Sequence, residues 1–207
     1  MTTSRKVLGL FVVAGLAYAA GHTNLFSGAP GAWAGQEQET SPEMRAYIDA
    51  GTPGANHQYL GALVGEWDCT YKMYMEPGEE AIVCEGTVTR DWVLDGHYIR
   101  EIVEATTPWG SFSGLGFIGY NNVDGQYEFI WMENMATAIQ FETGSYNAET
   151  GIITTRGTHR DPSTGRIIQA WGEFDISDGD RQTFVGYCAG PDGKPFKQFE
   201  GVTTRKK

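Results

Sequence analysis

Val88-Thr89-Arg90-Asp91-Trp92-Val93-Leu94-Asp95-Gly96-His97-Tyr98-Ile99-Arg100-Glu101-Ile102-Val103 is the stretch that decides the fold. Asp-Gly between alternating runs is a strong hairpin signal. A two-residue turn at Asp95-Gly96 opposes Leu94 to His97, Trp92 to Ile99, Arg90 to Glu101 and Val88 to Val103. Side chains alternate with period two, so these pairs share one face. The other face carries Glu85, Thr87, Thr89, Asp91, Tyr98, Arg100 and Glu104, which marks it as the solvent side. The first face is therefore interior, and it encloses an arginine opposite a glutamate.

The same reasoning extends both ways. A turn at Pro77-Gly78 puts Trp67, Cys69, Tyr71, Cys84 and Gly86 on the interior face. On the next hairpin, Leu115, Phe117, Phe129 and Trp131 are read as an inner apolar set. Further turn signals fall at Asp124-Gly125, Glu149-Thr150-Gly151, Ser163-Thr164-Gly165, Ser177-Asp178-Gly179 and Asp192-Gly193, with breaks at Pro108-Trp109-Gly110 and near Glu133-Asn134. Nine breaks divide residues 66–206 into ten strands. Connections this short impose neighbour-to-neighbour antiparallel pairing. The expected fold is all-β: a ten-stranded antiparallel up-and-down barrel, since closure removes exposed edges. A two-sheet sandwich is the alternative. In strands 151–160 and 166–176, Arg156, Thr158, Gln169, Trp171 and Glu173 form one face; it suits an outer wall and also the wall of a wet cavity.

Two short helices precede the strands. Ser41-Pro42-Glu43 supplies an N-cap, a first-turn proline and an early acid, and Gly51 ends the helix. A second helix over Ala55–Val64 would put His57, Leu60 and Leu63 or Val64 on one face. Residues 21–40 read as a linker, which leaves 41–207 as the folded domain. Residues 1–20 open with Arg5-Lys6 and continue through the apolar run VLGLFVVAGLAYAA. That run is too short to span a bilayer comfortably and reads as a signal peptide or an uncleaved signal anchor. Cleavage sites follow at Ala19 and at Ala34, so the chain is expected to be exported, to the periplasm or beyond.

Of 207 residues, 41% are hydrophobic and 20% charged, which is a globular composition. The net charge of −11 argues against a nucleic-acid partner and against docking on an anionic membrane. Three cysteines are too few for a disulfide scaffold. Cys69 and Cys84 lie diagonally across a strand pair, too far apart for an unstrained disulfide, and are expected to be buried thiols. His57, His97 and His159 have no metal-ligand spacing, so neither a metal nor a cofactor is expected. No nucleophile elbow, phosphate loop or dinucleotide fingerprint occurs, and no catalytic residue is assigned.

The candidate ligand-binding set is the barrel interior: Arg90, Trp92, His97, Glu101, Phe117, Phe129 and Trp131. The Arg90–Glu101 pair is either a structural pair or an anchor for a ligand's polar head. His57 is read as tying a cap helix to the barrel. The loop Glu133–Thr137 is either a recognition loop at the rim or a plain turn. The leading function is non-catalytic binding of a small, mostly apolar or amphipathic molecule by a monomer or weak dimer. An enzyme using a polar cluster in the cavity, and an interaction module with a filled core, are the alternatives.

An ordered set of short motifs adds to this. Pro53-Gly54, His57, Leu60, Leu63, Gly65 and Trp67 are followed by Trp92-Val93-Leu94-Asp95-Gly96, Gly114-Leu115-Gly116, Gly119-Tyr120-Asn121 and Trp131-Met132-Glu133-Asn134-Met135-Ala136-Thr137. Asp161-Pro162-Ser163-Thr164-Gly165, Pro191-Asp192-Gly193-Lys194 and Arg205 come later. Together they resemble the bacterial domain of unknown function 1579 family, grouped with the calycin-like, lipocalin-type barrels. The resemblance implies a calycin fold over residues 41–207 and no particular activity. It further implies that Trp67, in the Gly-x-Trp position, packs under Arg205 in a structural cation–π contact of about 0.5–2 kcal/mol.

Overall fold

Pro42 at the first helical position and Glu43 in the first turn start helix α1 (Pro42–Ala50), and the Gly51 amide closes it on the Tyr47 carbonyl at 3.0 Å. Helix α2 (Ala55–Tyr59) tightens into a 3-10 turn over Leu60–Leu63. Spacing of three puts His57, Leu60 and Leu63 on one buried face. The computed structural model describes residues 41–207 apart from Ser163, Pro191 and Asp192. The expected signal segment 1–20 and linker 21–40 lie outside the described residues. Among the described residues, no helix is long and apolar enough to cross a membrane.

Ten strands follow: β1 (Gly65–Met73), β2 (Ile82–Val93), β3 (Tyr98–Thr107), β4 (Gly110–Asn121), β5 (Gln126–Glu133), β6 (Gln140–Asn147), β7 (Ile152–Arg160), β8 (Ile167–Asp175), β9 (Arg181–Ala189) and β10 (Pro195–Arg205). Each pairs antiparallel with its neighbours in sequence, and β10 returns to β1, so the sheet is a closed barrel without a free edge.

The register of the first hairpins is the one read from sequence. Arg90 opposes Glu101, Trp92 opposes Ile99 and Val88 opposes Val103. Trp67 opposes Val88, Cys69 opposes Gly86 and Tyr71 opposes Cys84. The face of Arg156, Thr158, Gln169 and Glu173 is exposed, an outer wall.

Two readings are corrected. The β2–β3 ladder ends at Val93–Tyr98, so the turn has four residues, Leu94 to His97, with Leu94, Asp95 and Gly96 all at positive φ. Leu94 is 70% exposed, and His97 sits in the turn instead of inside the barrel. Phe117 and Leu115 point outward. Phe117 opposes Arg100 and Ile130, whereas Gly116 opposes Glu101 and Trp131. In this hairpin the odd residues of β5 share the interior with the even residues of β4.

Candidate functional site

The two ends of the barrel differ. The helices and the turns after β2, β4, β6 and β8 lie at one end; the loops after β1, β3, β5, β7 and β9 lie at the other. The cap is fastened by side chains. Tyr127 donates its hydroxyl to the Asn56 carbonyl at 2.9 Å, and Asn122 Nδ2 donates to the Ala50 and Thr52 carbonyls at 3.1 and 2.9 Å. His97 Nε2 lies 2.8 Å from the Gly51 carbonyl. His57 receives the Gly54 amide on Nδ1 and meets the Tyr120 ring edge-on, holding α2 to the barrel. Burial, and then the neighbouring His97, push the His57 imidazole below its ordinary range.

Leu60 and Leu63 plug the capped end by packing on Ile99, Ile118, Tyr127, Ile153 and Ile176. Trp92 packs against this plug, its ring 4.0 Å from where a side chain at Gly61 would begin. A second layer, Trp67, Cys69, Val88 and Val103, extends the filling toward the middle. Arg205 seals the base. Its guanidinium lies 4.1 Å from the Trp67 ring centroid and donates to the carbonyls of Val64 at 2.7 Å and Gly179 at 2.9 Å. Trp67 Nε1 in turn donates to Leu63 at 3.0 Å. Gly65 sits at φ +134, where any other side chain would be strained, and a Cβ there would also press on Arg205 Nη1.

Arg90 lies at the boundary of the filled region, 4% exposed. Its Nε donates to Glu101 Oε2, its Nη1 donates to Gln182 Oε1 at 3.2 Å, and its guanidinium stands 5.3 Å from the Phe174 centroid. Gln182, buried and passed over in the sequence reading, hands the network to the cap by donating to the Ala62 carbonyl at 2.7 Å. A buried guanidinium needs such partners to offset lost hydration.

Toward the uncapped end the interior turns aromatic. Tyr71, Phe112, Trp131, Phe184 and Phe199 all point inward yet remain half-buried. Inside a closed wall, the surface they retain faces the lumen. Among the described residues, the inward hydroxyls of Thr155 and Thr203, in residues 7% and 5% exposed, have no hydrogen-bond partner; Thr203 lies in the filled half, opposite Cys69 and Gln182. Buried polar groups are seldom left so, and each one calls for an explanation such as a missing partner. Two shallow hollows of about 400 and 300 Å3 open on the outer wall, beside Glu85 and Glu104 and beside Arg156 and Gln169.

Of the candidate binding residues, then, Trp131 points into the lumen, Arg90 and Glu101 pair at its floor, and Trp92 and Phe129 pack against the plug. His97 lies in the turn and Phe117 on the outer wall. Sequence reasoning missed Gln182, Thr155, Thr203 and Glu142, the last opposite Phe129 and facing inward. The signal for them was the interior parity of β6, β7 and β9, which hairpin pairing carries around the barrel. Cys69, Cys84 and Cys188 are buried free thiols, and burial pushes each above the ordinary thiol range, away from the nucleophilic thiolate. Among the described residues no group of His, Cys, Asp and Glu is placed to hold a metal ion.

Comparison with known proteins agrees with this architecture. The family described as protein of unknown function (DUF1579) matches over residues 52–205. No curated protein sequence matches the chain. The crystal structure of Rv2717c from M. tuberculosis is similar at a TM-score of 0.55 and 15% identity, covering 75% of this chain and 100% of that one. S-type phycobiliprotein lyase CPES from Guillardia theta is similar at 0.52 and 11%, covering 78% and 97%. At such identities the likeness is one of fold.

Proposed function

The chain belongs to the DUF1579 family, and from that premise we propose that it is an exported, non-catalytic carrier of a small, mostly apolar molecule held in the uncapped half of its barrel. The observation that carries this reading is the set of half-buried aromatic rings inside a closed wall, beside the Thr155 hydroxyl, which has no partner among the described residues. A core that only supports the fold has reason to fill such space, since interiors pack to the density of organic crystals. Ligand sites are commonly apolar and aromatic with a few polar groups that fix orientation. Raised thiol pKa values and an arginine already held by Glu101 and Gln182 favour binding over chemistry. Export is supported by Arg5-Lys6 and the apolar run of residues 7–20.

Native mass spectrometry of the protein purified from its own host tests the reading. A non-covalent adduct that dissociates on unfolding is expected. A bare chain from the host, together with no uptake of any apolar dye, overturns it.

A further inference from the structure

The lumen is lopsided in charge. Above Trp67, the acidic, basic and imidazole side chains that the strands turn inward, among the described residues, are Arg90, Glu101, Glu133, Glu142 and His159. Arg90 is already neutralised by Glu101 and held by Gln182. A ligand carboxylate reaching it would have to displace Glu101 or lie against it in a site of low dielectric. Glu133 and Glu142 face the lumen with no inward Lys or Arg beside them.

These two acids flank a platform. Gly114 and Gly116 oppose Glu133 and Trp131 across the β4–β5 ladder. A methyl group at Gly114 would collide with the indole ring of Trp131, and one at Gly116 would lie 3.2 Å from its Cε3. The indole is therefore laid flat against the β4 backbone. Its Nε1 donates to Glu133 Oε2 at 3.1 Å, which fixes the ring in place. Phe112 lies nearly parallel to it, with centroids 6.4 Å apart and planes at 22°. Glu142 opposes Phe129 and is diagonal to Trp131, a separation that a long side chain spans. A fixed indole face attracts a cation through its quadrupole, and adjacent carboxylates add to that attraction.

An independent observation marks where a ligand would reach. The partnerless Thr155 hydroxyl lies two residues deeper on β7 than Gly157, the residue opposite Glu142, or about 7 Å along the strand. Its cross-strand neighbours on both sides are glycines, Gly144 and Gly172.

We infer that the lumen selects a planar amphipathic cation: an aromatic body stacked on Trp131, its cationic nitrogen beside Glu133 and Glu142, and a polar substituent bonded to the Thr155 hydroxyl. This rests on the carrier reading above and gives it a ligand class.

The full chain is titrated, at about 0.15 M salt, with two fluorescent probes, the planar cation thioflavin T and the anion anilinonaphthalene sulfonate. The cation is expected to bind about tenfold more tightly. Glu133→Gln and Glu142→Gln, alone and together, should erase that preference while leaving the anion's affinity unchanged or improved. Glu85→Gln with Glu104→Gln, on the outer wall, should leave both affinities as they are. If neither probe binds the unaltered chain, the carrier reading fails and this inference with it. If both bind but the anion is equal or tighter, or the inner-wall variants keep the preference, the inference fails while the carrier reading stands. Loss of the preference in the outer-wall variant traces it to the general field of a chain of net charge −11 and also overturns the inference.

Discussion

Arg90 and Glu101 show how far a single opposed pair constrains the chain. With Arg90 4% and Glu101 16% exposed, removing one partner strands a buried charge. Glu101→Gln is expected to lower stability by about 3–5 kcal/mol in urea denaturation. Arg90→Met with Glu101→Leu removes both charges and should restore most of that loss, because matched apolar replacements of buried pairs are often neutral. Neutral single variants would mean that the two side chains reach solvent. This pair was legible from the sequence because Asp95-Gly96 centred the hairpin and the polar residues fell on its opposite face. His97 was not, although the register was right. The three successive residues at positive φ lengthen the turn by one residue on each side and lift His97 out of the strand. A leucine at positive φ leaves no trace in a hydrophobicity pattern.

Among the elements, β4 explains the other misreading. Between the inward Phe112 and Ile118, its interior positions are held by Gly114 and Gly116, which make room for Trp131, so the apolar residues of that stretch, Leu115 and Phe117, are the outward ones. Alternation was present but inverted, because the bulk that fills the interior is supplied by β5. The seam between β1 and β10 has its own signature, on the outer face. Lys72 opposes Glu200, whose carboxylate accepts from Tyr74 at 2.8 Å and from Lys197 at 2.8 Å. Hydrogen bonds from Lys197 and then Tyr74 depress the Glu200 pKa from 4.5 to about 2. A carboxyl group depressed in the folded state stabilises it fully above its unfolded pKa, and that stability is lost as pH falls through the folded value. Glu200→Gln should therefore cost about 1 kcal/mol or less near neutrality, as solvent screens the network. The cost should shrink between pH 4.5 and about 2 and vanish below it. Urea midpoints of both proteins across that range check this; a difference that persists at the acid end refutes it.

For the molecule as a whole, turn chemistry was enough to count the strands and predict closure, since short connections leave an up-and-down sheet little alternative. The site was less legible. Trp131 and Phe129 stand out as aromatic residues, but Thr155, Gln182 and Glu142 look like ordinary strand residues, and it is the pairing parity carried around the barrel that puts them inside. The thiols test the integrity of that interior. Cys69, Cys84 and Cys188 should resist Ellman's reagent while the barrel is folded, and unfolding without reductant should release three thiols. A count of one would reveal a disulfide. Closure also bears on how the chain folds. Trp67 is paired with Arg205, roughly 140 residues later, and joining ends so far apart costs about 4 kcal/mol in chain entropy. No shorter run of strands escapes having two raw edges, so partial assemblies gain little and the last strand decides the outcome. A ribosome must release residue 205 before the ring can shut. Until then every intermediate offers its edges to other chains, and this barrel should fold slowly, all at once, and only after residue 205 has emerged.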